Sequence, residues 1–526
     1  MGAHMNNKLL LGMLLVSMVV GGLAFAFIPV VPVQAATNVS GIISSDTTWT
    51  QAESPYTFTG PVAINASVTL TIQAGVTINI GSWYLQVNGT LNAKGTTTNP
   101  IYINSNTNAV SNVGSAITFS SLSTNWNGQT ETGCIIENAV LTSIPIIIEN
   151  ASPQINNNKI TFNSSNIYPH PTISVDGGSP TISNNIITVT GSDFQGTGIS
   201  VANSGSPKIS GNTIIGVNCF VGDGIWSSGN AAIFGNYISG WACGIKSTND
   251  VIGENIVHSN IPVNDMVTGC GISVGPNSVV QNNTIIYNPE GIVINYPSSI
   301  IAHNNLFYNQ YNVATTSAAN VNATYNWWGT IDTQAINQTI YDFNDNFNLG
   351  TVFFVPFLDS PNTRAPTFVN ASANDGGSIA PRGIVSVSYG GSQTFNVIAD
   401  AGYHILNVLV NGTSVGTVNS YTAQNIQGAT TISAIFAPDP SPSPTPSSSP
   451  LPSPSPTPSS TPIVTSTPDS TPSIPEFPLL IILPLLIIVA TAAGLLFKFK
   501  KASVSPNIFK GSRRTLEINH VVKRKE

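Results

Sequence analysis

Charge is scarce in this chain: Asp, Glu, Lys and Arg together make up 7% of 526 residues, and no arginine occurs before Arg364. From 37 to 475 there are six basic side chains (Lys94, Lys159, Lys208, Lys246, Arg364, Arg382) against twenty acidic ones. Such a stretch repels a phosphate backbone, which excludes nucleic acid as a partner. Cysteine is equally sparse. Four residues, Cys134, Cys219, Cys243 and Cys270, are too few to form a disulfide framework in so long a chain. Helical periodicity is absent from the long central part, which excludes an α-helical bundle.

The apolar runs sit at the two ends. Lys8 precedes the run from Leu9 to Val33, and Val33-Gln34-Ala35 offers small residues for signal peptidase, so 1–35 reads as a signal peptide cleaved near Ala35 or Ala36. The same run is long enough to remain as an uncleaved anchor. Pro478 to Phe497 is free of charge and, at 1.5 Å per residue, spans about 30 Å as a helix. Nine of the sixteen Lys and Arg follow Phe497, so 498–526 is expected in the cytoplasm and the preceding part outside, at the cell surface. Residues 438–475 are Ser, Thr and Pro with almost no apolar side chains. They predict an extended stalk rather than a core. The run Ile474-Pro475-Glu476-Phe477-Pro478, followed by the apolar span and basic cluster, resembles the PEF-type C-terminal sorting signals of archaeal surface proteins.

Between the ends lies a repeat. An Asn-x-apolar element recurs at Asn158, Asn185, Asn212, Asn236, Asn255, Asn283 and Asn304, at intervals of 27, 27, 24, 19, 28 and 21. A second series, Gly or Thr followed by Ile, recurs at Ile173, Ile199, Ile225, Ile245, Ile272 and Ile292, offset by about half a period. Each repeat alternates Ile, Val and Leu with Thr, Ser and Asn, the period of a strand. One short repeat cannot bury its apolar face, whereas stacked turns share a continuous core and bring equivalent Asn side chains into a column. The prediction is an all-β coil over 36–361; a propeller or sandwich is the alternative. The opening groups Leu70/Ile72, Val76/Ile78/Ile80, Leu85/Val87 and Leu91/Ala93 fit the same coil.

With its recurrent Asn-x-Ile and Gly-Ile turns and the closing Asn326-Trp327-Trp328-Gly329, this region resembles pectin-lyase-like right-handed parallel β-helix proteins, in particular the NosD and carbohydrate-binding/sugar-hydrolysis group. The resemblance implies the fold; activity varies widely on it. From 366 to 437, Gly376-Gly377-Ser378-Ile379-Ala380-Pro381, Gly390-Gly391-Ser392, Ala401-Gly402-Tyr403 and Val408-Leu409-Val410-Asn411-Gly412 resemble the divergent InlB B-repeat module of surface proteins, implying a small β-rich spacer or adhesive unit.

Chemistry is harder to find. The basic arginine that the lyase resemblance would require has no counterpart before Arg364, leaving only Lys159, Lys208 or Lys246 to substitute. The carboxylates Asp176, Asp193, Asp223, Asp250, Glu254, Asp265 and Glu290 are dispersed singly and read as solvated turn residues. No catalytic residue, cofactor or metal is expected. Cys243 and Cys270 occupy the same place in adjacent repeats, about 4.8 Å apart if the turns stack, and read as a disulfide or a buried thiol stack. A metal site using them with Asp223 or Glu290 is the alternative. Aligning Ile285-Ile286-Tyr287-Asn288 with Leu306-Phe307-Tyr308-Asn309 stacks Tyr287 under Tyr308, a candidate sugar platform unless such rings fill the core. Ten Asn-x-Ser/Thr sequons, from Asn38 to Asn411, permit glycosylation of the exported part. The sequence thus points to a non-catalytic surface protein binding extracellular polysaccharide or envelope glycans, serving adhesion or envelope structure. The alternative is a carbohydrate-active enzyme, either a polysaccharide lyase or a glycoside hydrolase.

Overall fold

The computed structural model describes residues 36–440 except 106–114, 164–170, 192–195, 204, 220 and 262–268. The expected signal peptide, transmembrane helix and cytoplasmic tail, and the stalk beyond residue 440, lie outside the described residues. So do Asp193 and Asp265.

The chain winds as a parallel β-helix with three strands per turn. One turn consists of Thr181–Ser183 on face I, Ile186–Thr190 on face II and Ile199–Ala202 on face III. Each strand pairs in parallel with its equivalent one turn on. Among the described residues face I is an 11-stranded sheet, while faces II and III are joined through the first turn. Strand period sends one residue of each pleat inward, and the inward residues stack on themselves. On face I the column is Ile155, Ile182, Ile209, Ile233, Ile252, Val280 and Ile301. On face II it is Ile160, Ile187, Ile214, Ile238, Val257, Ile285 and Leu306. Face III carries the Ile173-to-Ile292 series of the sequence, continued by Val313. All of these are buried, in one core.

The second buried element is polar. Asn158, Asn185, Asn212, Asn236, Asn255, Asn283, Asn304 and Asn326 line the corner between faces I and II, each with no more than 2% of its surface exposed. In every rung the Nδ2 of one Asn donates to the Oδ1 of the next at 2.9–3.0 Å. Each Nδ2 also donates to a backbone carbonyl of the turn before, as Asn212 does to Ile182 at 2.9 Å. The Gly-Ile repeat has a steric cause. A Cβ on Gly224, Gly244 or Gly271 would lie 2.5–2.8 Å from a core side chain of face II (Ile238, Val257 or Ile285), closer than real Cβ atoms approach.

The coil closes with the short helix Thr333–Asn337, which the sequence pattern did not suggest. Asp332 caps it by accepting from the backbone N–H of Gln334 and Ala335.

From Thr367 to Pro438 the chain builds a five-stranded sheet and a three-stranded sheet around Phe395, Val397, Val408 and Phe436. This module is docked rather than strung. Phe368 packs on the outer side of face II against Ile256 and Ile286, with Phe307 and Ile384 alongside. Thr284 Oγ1 donates to the Pro366 carbonyl at 2.5 Å, and Asn305 Oδ1 accepts from the Asn362 N–H at 2.8 Å. The expectation that isoleucines point inward is therefore corrected at Ile256 and Ile286, which face out and are covered. Asp250 is a second correction. It is 1% exposed, not solvated, and its carboxylate accepts from Ser227 Oγ, the Ala231 N–H and the Thr248 N–H.

On the same outer surface His258 is buried between Ser239 and Ile286. Its Nδ1 lies 3.0 Å from Ser259 Oγ, and Tyr237 meets its ring edge-on at 4.8 Å. Its Nε2 has no partner among the described residues. Burial lowers its pKa to about 4, so the folded protein holds it neutral.

Three outcomes follow from this architecture. Ile214→Asp buries an unpaired charge between two turns and should block secretion or expose the coil to protease, whereas Thr213→Asp, on the outer side, should leave both unchanged. Equal tolerance of the two would show the register to be wrong. Asn212→Ala strands the Asn185 N–H and opens the ladder. Denaturant melts should register a loss of about 3 kcal/mol. The unfolded chain takes up the His258 proton near pH 6.5, so stability is lost as pH falls from about 6.5 to about 4, by about 3 kcal/mol in all. Subtracting the melting curves of His258→Leu from wild type over that window should recover this loss; a flat difference would refute it.

Candidate functional site

The outer surface of face III gathers the unusual side chains. Outward residues follow the stacked isoleucines by one position, so the column after Ile199, Ile225, Ile245 and Ile272 reads Ser200, Trp226, Lys246, Ser273. Trp226 is partly exposed and Lys246 exposed, one rung apart. Toward the corner with face I the surface dips into a groove of about 500 Å³ lined by Lys246, Ser273, Asn295, Tyr296 and Thr316. Asn295 is fixed there, its Nδ2 donating to Ser273 Oγ at 3.0 Å and its Oδ1 accepting from Thr316 Oγ1 at 2.8 Å. Tyr296 stands at the rim with 52% of its surface exposed. An indole, a phenol ring, an ammonium and a set of held hydroxyl and amide groups can together pack against a sugar ring and bond its hydroxyls.

A second ladder runs along the entry edge of the same face: Asp223, Cys243, Cys270, Glu290, Tyr311. Cys243 and Cys270 form a disulfide with Cα atoms 4.6 Å apart, and with Val293 they make a small apolar cluster outside the main core. Asp223 is partly buried, which raises its pKa to about 6, while the nearby Lys246 charge pulls it down. Glu290 is raised by burial alone. Three rungs separate the two carboxylates, about 14 Å at 4.8 Å per rung. Inverting glycosidases hold their pair at about 6.5–9.5 Å and retaining ones at about 5 Å. Among the described residues no three His, Cys, Asp or Glu come together as a metal site.

Tyr287 and Tyr308 lie in the turn between faces II and III, both with left-handed backbone (φ 55° and 61°). Their rings stack at 5.2 Å and 14°. Because one lies over the other, each covers a face of its neighbour. Only the outer faces, edges and hydroxyls are open, with Tyr308 the more exposed. The structure thus places the tyrosine pair on one edge of face III and the groove on the other. Of the tryptophans, Trp49, Trp241 and Trp328 are buried in the core. Trp226 and Tyr296 were missed by sequence reasoning, although the register of the Gly-Ile series already assigns Trp226 to the outward column.

Residues 172–329 match the family described as "Right handed beta helix region", and the coil is accordingly right-handed. No curated protein matches the chain. Among solved structures, the crystal structure of Dettilon tailspike protein (gp208) is similar at 13% identity, covering 71% of this chain and 77% of that one, with a TM-score of 0.23. That score is too low to carry weight, and the right-handed parallel β-helix rests on the register and on the family match.

Proposed function

We propose that this protein is a cell-surface glycan-binding protein without catalytic activity, whose β-helix presents the outer surface of face III to extracellular polysaccharide or envelope glycans. The observation that carries the reading is the Trp226–Lys246–Ser273 column beside the groove capped by Tyr296, which joins a partly exposed indole and an exposed phenol ring to fixed polar groups. The sequence supports surface display through a signal peptide, a Pro/Ser/Thr stalk and a C-terminal transmembrane helix. Its 366–437 module, InlB-like in pattern, fits an adhesin or envelope component. The enzymatic alternative needs a second carboxylate near Asp223. Glu290, three rungs along the same ladder, is too distant to act on the same glycosidic bond.

A glycan array probed with the 36–440 ectodomain should give binding without product release. Trp226→Ala and Tyr296→Ala should each weaken the best ligand at least tenfold, about 1.4 kcal/mol, with no shift in melting temperature. Cleavage of any bound polysaccharide, or full affinity in both variants, would overturn the reading.

A further inference from the structure

Resting on that reading, we infer that the face III site selects anionic glycans, with Lys246 taking the ligand's carboxylate and Asp223 opposing it as an internal competitor. The ectodomain is acidic, and Lys246 is the one basic residue lining the groove. Among the described residues no Lys or Arg lies within salt-bridge distance of a carboxylate, so Lys246 is not consumed by a fixed partner. Its ammonium is exposed, one rung from the Trp226 indole. A sugar ring seated there would bring a ring substituent to the ammonium while its hydroxyls meet Ser273, Asn295 and Thr316. A carboxylate on that ring gains a charge-assisted bond that a hydroxymethyl group cannot make.

Asp223 is the counterweight. It stands beside Cys243 in the ladder, on the strand that also carries Trp226, close enough for Lys246 to act on its titration without touching it. Among the described groups facing it, Cys243 is held in the disulfide and does not titrate. Thr197, two residues before Ile199 on the preceding turn, is neutral, and Glu290 is three rungs away. While ionised, Asp223 shares the field of Lys246 and repels an arriving carboxylate; once protonated it does neither. Its carboxyl is half protonated at about pH 6, whereas a sugar carboxylate stays ionised well below that. If only the protonated form binds, the competent fraction rises about tenfold between pH 7 and pH 5, and apparent affinity with it.

The test is an array of uronate-containing oligosaccharides, each paired with its carboxyl-reduced neutral form, read with the 36–440 ectodomain at pH 5, 6 and 7. The expected result is preference for the charged member of a pair, strengthening about tenfold from pH 7 to pH 5, with neutral members independent of pH. Lys246→Gln should abolish the preference, so that the two members of each pair bind alike. Asp223→Asn should give the pH 5 affinity at pH 7. Equal binding of both members, with Trp226→Ala still abolishing it, would overturn the charge selection and leave the glycan-binding reading standing. Binding to no member of either set would sink both. Preference for charged sugars that survives Lys246→Gln would place the anion elsewhere.

Discussion

The corner between faces I and II is the constraint on which the rest of this molecule depends. A turn this tight leaves backbone carbonyls and N–H groups inside the coil, where an unpaired polar group costs about 1–3 kcal/mol. An asparagine satisfies both kinds at once. Asn212 donates to the Ile182 carbonyl and to Asn236 Oδ1, and its own Oδ1 accepts from the N–H and Nδ2 of Asn185. Each rung therefore completes its neighbours, and removing one opens both. The residue before each Asn pays a conformational cost: Asn184, Glu254, Asn282, His303 and Tyr325 all adopt left-handed φ there, as Gly211 and Gly235 do freely.

Fixing that corner frees the other two. The interval between ladder asparagines varies from 19 to 28 residues, yet the paired strands keep register on all three faces. The variation is absorbed in the turns from face II to face III and from face III back to face I. Those are the turns that carry Tyr287, Tyr308, Tyr296 and, with Asn295 and Thr316, part of the groove's lining. Rigidity and variation are thus segregated along the circumference of each turn, which is what a recognition surface on a repeat scaffold requires.

The sequence was legible where the physics is local and repeated. Period-2 alternation identified the inward columns, and the spacing of the asparagines and of the Gly-Ile pairs identified the ladder and the stacked isoleucines. Cys243 and Cys270 fell at one repeat position for the same reason. What alternation cannot report is whether the outward face meets water. Ile256 and Ile286 are outward and covered because Phe368, more than eighty residues later, packs on them, and no local pattern carries that contact. Asp250 looked like a turn carboxylate because its partners Ser227 and Ala231 belong to the preceding turn, about twenty residues earlier. Trp226 was legible but lost among seven tryptophans until register placed it in the outward column of face III.

The outer surfaces of faces II and III titrate in opposite senses. On face II the neutral His258 favours the folded state above about pH 6.5 and penalises it as pH falls toward 4. On face III the raised carboxyl of Asp223 does the reverse: the folded state binds its proton first, so stability rises as pH falls through about 6 toward the ordinary carboxylate range. The slopes offset each other over the same interval. Protonating the face III surface therefore need not cost the coil its fold. The disulfide supports the same surface mechanically. By closing a loop of 27 residues it restricts the unfolded chain by about 3.5 kcal/mol, and between Asp223 and Glu290 it ties the Cys243 rung to the next. Held at that rung, the strand bearing Lys246 keeps its place between Trp226 and Ser273 whichever way Asp223 is charged.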